Sequence, residues 1–240
     1  RILSPSRREV LDFRAGLTIN LHGGSRSAML TLASMARFRA GFGHFPLRWI
    51  YNISIPRAQQ ILGEERVVHT AEHAASAMFY LGVSRAEIPR ARLFAPPSPA
   101  QTPYAVIHPF ASAAGKFWPA DRFAAAARAI ERNRGFRPIV IGGPGDDFTA
   151  FREFQCLEGS PLGRVKSVLS GASLFLGNDS GPAHMAAAFG IPVIVLYGTS
   201  DPVIWAPWRT PNETLKPAGG LDALPVEEVL FAVERLLDRI

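Results

Sequence analysis

Cysteine is almost absent. A single thiol, Cys156, in 240 residues excludes an internal disulfide framework and fits a reducing cytosol. Charge is also modest: 19% of residues are charged and 48% are apolar, which is too apolar a balance for a disordered chain. No apolar run is long enough for a membrane-spanning helix. The best candidate, residues 185–197, is short and broken by Gly190 and Pro192. There is no secretory leader and no initiator methionine at the start, so the sequence reads as trimmed at its front. No Asp-x-Asp pair, no zinc-spaced His/Cys cluster and no Gly-x-Ser-x-Gly elbow occurs. Neither a metal site nor a serine hydrolase is expected, and no cofactor is implied. Internal repeats and low-complexity tracts are missing as well.

Lysine is scarce. Of 26 basic residues only Lys116, Lys166 and Lys216 are lysines, and the formal net charge is +6. The planar fork of arginine suits phosphate and carboxylate, but a GC-rich genome would give the same bias, and composition does not separate the two. No basic stripe is interleaved with aromatics, so nucleic acid is not an expected partner.

The clearest boundary is the stretch 96–103, which carries four prolines. Such a run can be neither helix nor central strand and reads as a stiff linker. It separates an expected partial first domain, residues 1–95, from a second, residues 104–240. In the second, short apolar strands (104–108, 137–141, 174–176, 192–197) alternate with helical stretches (121–133, 147–154, 162–169, 182–189, 225–239). That alternation predicts a parallel, doubly wound α/β sheet that binds ligands at the carboxyl ends of its strands. The front offers one strand, 17–21, and helices near 27–35 and 72–81. That is too few strands for a complete sheet, so the first domain is expected to lack its opening elements.

The loops after the strands carry the polar chemistry. Gly177-Asn178-Asp179-Ser180-Gly181-Pro182-Ala183-His184 reads as a strand end, a turn and a helix start. Ser180 is suited to the N-cap and Pro182 to the first turn. Free N–H groups and the positive end of the helix dipole make an anion site there, or simply a well-capped helix. His184, one turn in, adds a hydrogen bond or a positive charge. Asp179 would repel a diphosphate and suits a sugar hydroxyl or an orienting role. Lys116, among small residues, could offer a point charge to phosphate or stay solvated. Gly142-Gly143-Pro144-Gly145-Asp146-Asp147 allows close backbone approach with an acid for ribose hydroxyls, or is a plain turn. Trp118, Trp205 and Trp208 read as packing residues or ligand walls, Met29 and Met35 as core, and His69 and His73 as surface. Arg37 and Arg39 could be a solvated face or a substrate contact.

Taken together, Lys116-Phe117-Trp118-Pro119, Gly142-Gly143, residues 177–184 and Tyr197-Gly198-Thr199-Ser200-Asp201-Pro202 resemble the pattern of glycosyltransferase family 9, which includes the lipopolysaccharide heptosyltransferases. The resemblance covers the second domain in order. A looser match lies in the first, at residues 17–27. It implies a GT-B architecture of two Rossmann-like domains facing a cleft. It also implies an inverting, metal-independent transfer from an ADP-heptose-type donor to an anionic glycan or glycolipid acceptor. By resemblance, donor contacts fall to Ser112, Lys116, Gly143, Asp146, Asp179, Ser180, Gly181 and His184. Lys116, Asp179 and His184 act in catalysis, while Ser25 and Arg26 meet the acceptor. The family's base, an Asp in a Gly-rich loop after the first strand of the N-terminal domain, has no counterpart before Leu17. Asp12 does not match, and the gap reads as truncation. The expected setting is the cytoplasm, with peripheral contact at the inner membrane. The competing readings are a non-catalytic nucleotide-sugar-binding module of the same fold and, from fold alone, a nucleotide-sugar epimerase.

Overall fold

The computed structural model describes residues 7–96, 102–111 and 115–240. The chain divides into two units, Arg1–Ile88 and Pro89–Ile240. Residues 97–101, most of the expected linker, lie outside the described residues. The segment just ahead of them goes with the second unit: Phe94 and Pro96 offer their carbonyls to Lys166 and Ser167.

In the first unit, helix α1 (Arg7–Asp12) precedes β1 (Leu17–Asn20), α2 (Ser25–Ala33), β2 (Phe38–Phe42), β3 (Ile53–Ile55), α3 (Ala58–Leu62) and α4 (Thr70–Tyr80). The three strands form a parallel sheet in the order β1-β2-β3. Only β1 is legible from pattern. Strand β2 carries Arg39 and Gly41 among its apolar residues, and β3 is three residues long, so neither alternates long enough to register. Long-range hydrogen bonds fix them instead. Asn52 accepts from the Arg39 backbone N–H at 2.7 Å and donates to the Arg37 carbonyl at 2.8 Å. The Arg39 guanidinium donates to the carbonyls of Ile50 and Ala36, so Arg39 is a structural residue.

Two expectations about this unit are corrected. His69 is buried, not on the surface: it is the N-cap of α4, and its Nδ1 accepts from the Ala71 N–H at 3.1 Å. Glu72 accepts from the His69 N–H in return, completing a reciprocal cap, and is gripped by both ends of the Arg66 fork. His73, one turn on, is half-buried with its ring centroid 4.0 Å from that of Phe42. Met35 is 74% exposed and not core. It follows the C-cap of α2 with φ +49°, a left-handed turn that carries its side chain off the buried face.

The second unit runs β4 (Tyr104–His108), α5 (Ala120–Arg134), β5 (Arg137–Gly142), β6 (Gln155–Glu158), α6 (Leu162–Ser170), β7 (Leu174–Asn178), α7 (Gly181–Phe189), β8 (Val193–Leu196), α8 (Pro202–Trp205), β9 (Asn212–Leu215) and α9 (Val226–Leu237). Among the described residues its six strands are all parallel, in the order β6-β5-β4-β7-β8-β9. Every residue of β4, β7 and β8 is buried. They read as unbroken apolar runs because both faces of a parallel sheet are covered. Helices α5 and α9 supply one core through Phe123, Ala127, Ile130, Val229, Val233 and Leu236. Residues of α6 and α7, among them Leu169, Ala183 and Ala186, supply the other.

The expected helix over 147–154 is replaced by a single 3₁₀ turn, Thr149–Phe151, followed by strand β6. Asp147 accepts from the Thr149 N–H and starts a turn. Phe151, fully buried against the Phe110 ring, then stops the chain from winding on. Strands β6 and β9 sit at the two sheet edges with polar, half-exposed sequences, which hides them from an apolar-run reading. No helix among the described residues is long and apolar enough to cross a membrane.

Candidate functional site

Strand order reverses between β4 and β7. From β4 the chain crosses to β5 on one side, while β7 pairs on the other. The loops leaving the two strands diverge there and open a crevice at the carboxyl end of the sheet. The last residues of these strands, His108 and Asn178, are therefore the floor of the site.

Asn178 is fully buried. Its side-chain amide donates to the Pro109 carbonyl at 2.7 Å, and its oxygen accepts from the Trp118 N–H at 3.2 Å. One side chain thus ties both ends of the β4–α5 loop to β7. The loop's far end is pinned again by Trp118, whose indole N–H donates to the Leu224 carbonyl at 2.9 Å. The sequence reading made Asn178 a turn former and ended the strand at Gly177. It is instead the final strand residue and the clamp of the site.

Gly177 and Gly198 have steric roles. A Cβ on Gly177 would lie 2.8 Å from the His108 carbonyl oxygen, and one on Gly198 would lie 1.7 Å from that of Gly115. Backbone therefore packs on backbone at the end of β4 and again at the start of the Lys116 segment. This seats Lys116 where its Nζ meets Asp179 Oδ2 at 2.9 Å. The Asp179 side chain is 10% exposed and that of Lys116 25%. Of the residues expected to bind anions and hydroxyls, these two are brought together as an ion pair.

Beside this pair begins α7. Ser180 occupies the N-cap with extended backbone, but its hydroxyl caps nothing. It turns down to His108 Nδ1 at 3.1 Å. The first-turn N–H groups of α7 thus carry no side-chain cap, and the positive end of the helix stays open to a ligand. Burial pushes the His108 imidazole down to about 4, opposed by the nearby Asp146 carboxylate. It is neutral at physiological pH and holds Ser180 without adding charge. Nearby, burial first and the Asp179 charge second push the Tyr197 phenol well above its ordinary range. Tyr197 stays protonated and donates to the Trp205 carbonyl at 2.7 Å.

A cavity of about 330 Å³ lies over these groups, lined by His108, Asp146, Asp179, Ser180 and Gly181, with Phe110 on one side. Asp146 keeps one oxygen for the cavity; the other accepts from the Gly143 N–H at 2.7 Å. Gly143 itself does not line the cavity. Nor does His184, whose ring centroid lies 6.4 Å from that of Trp205. Ser112 lies outside the described residues. Ser25 and Arg26 belong to the first unit, both exposed at the start of α2. His108 was missed by the sequence reading, as was the clamping role of Asn178. The signal available was a polar residue closing an otherwise apolar strand in Tyr-Ala-Val-Ile-His and Leu-Phe-Leu-Gly-Asn. Lys116 does not line the cavity either and meets it through its ion pair with Asp179; the lining offers the open N-terminus of α7 with carboxylates on either side.

Comparison with known proteins gives the family and the fold. A family model described as glycosyltransferase family 9 (heptosyltransferase) matches residues 7–217. The chain is 32% identical over 160 residues to lipopolysaccharide heptosyltransferase 3 of Escherichia coli strain K12, covering 56% of this chain and 46% of that protein. It spans about half the length of the curated relatives it matches. Among solved structures, a glycosyl transferase family 9 protein from Veillonella parvula superposes with a TM-score of 0.77 at 21% identity, covering 100% of this chain and 81% of that one. The E. coli heptosyltransferase WaaC, solved with ADP-2-deoxy-2-fluoro heptose, gives 0.73 at 20% identity, covering 98% and 78%.

Proposed function

The chain belongs to glycosyltransferase family 9, and from that premise we propose that it serves the transfer of a heptose-like sugar from a nucleoside-diphosphate donor, ADP-heptose, to an anionic glycan of the lipopolysaccharide-core type. The observation that carries this reading is the Lys116–Asp179 ion pair beside the uncapped start of α7. A diphosphate arriving there draws Lys116 away from Asp179, and the freed carboxylate accepts a hydroxyl of the donor sugar. Asp146 offers its remaining oxygen to the ribose. As the anomeric C–O bond breaks, negative charge grows on the departing diphosphate. Lys116 and the α7 N–H groups stabilise it, preorganised and at low local dielectric. The sequence holds no Asp-x-Asp pair, so this neutralising charge comes from the chain itself. The acceptor hydroxyl oxygen attacks from the opposite face, inverting the anomeric carbon and giving its proton to a base other than the two cavity carboxylates.

Neither carboxylate at the cavity is assigned as the base that deprotonates the acceptor. Asp179 is ion-paired and Asp146 is bonded to the Gly143 N–H. Ser25 and Arg26 meet the acceptor's anionic groups. A lipid-linked acceptor would bring the protein to the cytoplasmic face of the inner membrane, where a net charge of +6 favours contact. The relatives support the donor choice: WaaC has been solved with an ADP-heptose analogue, and the E. coli relative is a lipopolysaccharide heptosyltransferase.

Thermal-shift titration with ADP, UDP, GDP and their sugars tests the donor site, because a ligand of the folded state raises Tm as its concentration passes Kd. ADP and ADP-heptose are expected to stabilise most. Lys116→Ala should weaken ADP about tenfold to a hundredfold. Asp179→Ala should retain ADP binding and lose the added affinity for the ADP-sugar. Unchanged ADP binding by Lys116→Ala would sink the assignment. ADP-sugar binding with no transfer to any glycan would favour the non-catalytic binding module.

A further inference from the structure

A second and larger cavity, of about 450 Å³, opens beside the segment that carries Lys116. Its volume falls within the roughly 300–1,000 Å³ typical of small-ligand sites. The two neighbours of Lys116 in sequence, Gly115 and Phe117, line it, while Lys116 itself is ion-paired to Asp179, which lines the other cavity. The opposite wall comes from the loops after β8 and β9, through Thr199, Lys216, Leu221 and Asp222.

The walls are built and anchored. The segment 221–224 is tied to α5 by the Arg122 guanidinium, which donates to the carbonyls of Asp222 and Leu224 at 2.8 Å each, and by the Trp118 indole. Gly198 packs directly on the Gly115 carbonyl. The chemistry on these walls is amphiphilic. Phe117 is 45% exposed, leaving part of an aromatic face unburied. Among the described residues, the Lys216 ammonium and the Asp222 carboxylate make no hydrogen bond or ion pair to any side chain. A free cation, a free acceptor, a threonine hydroxyl and an aromatic face suit one ligand class well. A pyranose has a C–H face to stack and a rim of hydroxyls, and a negative substituent would answer Lys216.

We propose that this cavity is a carbohydrate subsite that seats an anionic pyranose of the acceptor glycan, stacked on Phe117 with its negative group on Lys216 and a hydroxyl on Asp222. The choice of acceptor rests on the glycosyl-transfer reading above: the donor fills the cavity over α7, and the sugar it is joined to approaches across Lys116. On this assignment the donor-binding unit itself selects part of the acceptor.

Saturation-transfer NMR with glucuronate and with glucose, on the full chain with and without saturating ADP, tests it. Glucuronate is expected to bind at millimolar concentration whether or not ADP is present, and more strongly than glucose. Lys216→Ala should weaken it about tenfold, and Phe117→Ala should abolish the ring-proton signals. ADP binding and Tm should be unchanged in both variants. Lys216→Gln, which keeps the stem, guards against a folding defect and should behave as Lys216→Ala. The subsite is overturned if glucuronate does not bind, if its binding survives these substitutions, or if ADP displaces it. Should ADP fail to bind while glucuronate still depends on Lys216, the donor reading falls and the sugar subsite stands.

Discussion

The two units use one building plan to different depths. Both are parallel sheets with a buried asparagine ending one strand, Asn20 and Asn178, but among the described residues the first has three strands and the second six. In the first, Leu17 and Phe38 are register partners on adjacent strands, 45% and 46% exposed. In the second, β4, β7 and β8 have no residue outside the core. A parallel sheet is stable when both faces are covered; the first unit does this only over the last three residues of β2, the second along the whole of its central strands. Its rigidity also places the site. Asn178, Trp118 and the backbone contact at Gly198 fix Lys116 to within a hydrogen bond of Asp179. Ser25 and Arg26 of the first unit are exposed, although buried Asn20 holds the loop ahead of them by accepting from the His22 and Gly23 N–H groups.

Matched tryptophans give the largest contrast. Trp118 is 1% exposed and Trp49 is 69% exposed. Trp118→Ala should cost about 3–5 kcal/mol through lost burial and the cavity left behind, while Arg122 keeps the Leu224 carbonyl paired. Trp49→Ala should stay within about 0.5 kcal/mol. Urea unfolding of both variants, read by far-UV circular dichroism, measures the difference; equal losses would break the comparison.

Acid should act on the second unit next. In the folded chain His108 titrates near 4, against an ordinary value of 6.5. Between those values the unfolded chain binds a proton that the folded chain refuses, so stability falls as pH drops from 6.5 to 4. Above 6.5 this group contributes no slope. The total loss is about 3 kcal/mol. His108→Asn should flatten that part of the profile, and an unchanged slope would mean that another group carries it.

A smaller effect is expected at the clamp. Asn178→Ala leaves the Trp118 N–H and the Pro109 carbonyl unpaired in the interior, which should cost about 1–3 kcal/mol. It should also loosen the Lys116 loop, so ADP binding should weaken although Asn178 touches no ligand. Retained ADP affinity at normal Tm would show that the loop holds its shape without the clamp.

Much of this was legible beforehand where local chemistry and tertiary demand coincide. The buried strands of the second unit are apolar runs, and its helices carry their periodicity openly. The Ser-Gly-Pro helix start of α7 is a local signal that needs no partner. Edge strands β6 and β9, and strands β2 and β3, were not legible, because long-range pairing and not their own pattern makes them strands. The helix expected over 147–154 failed for the converse reason: its composition allowed a helix, but burial of Phe151 won.

By itself, the sequence determined the alternating α/β order, the family pattern and the polar residues that end the strands, since each is written in neighbouring residues. Only the tertiary structure decided what those residues do. It gave Asn178 two distant backbone partners, turned Ser180 away from its helix and onto a neutral His108, and paired Lys116 with Asp179 across 63 positions. Hydrogen bonds and ion pairs of that reach are set by strand order and close backbone packing, which no local window of sequence contains.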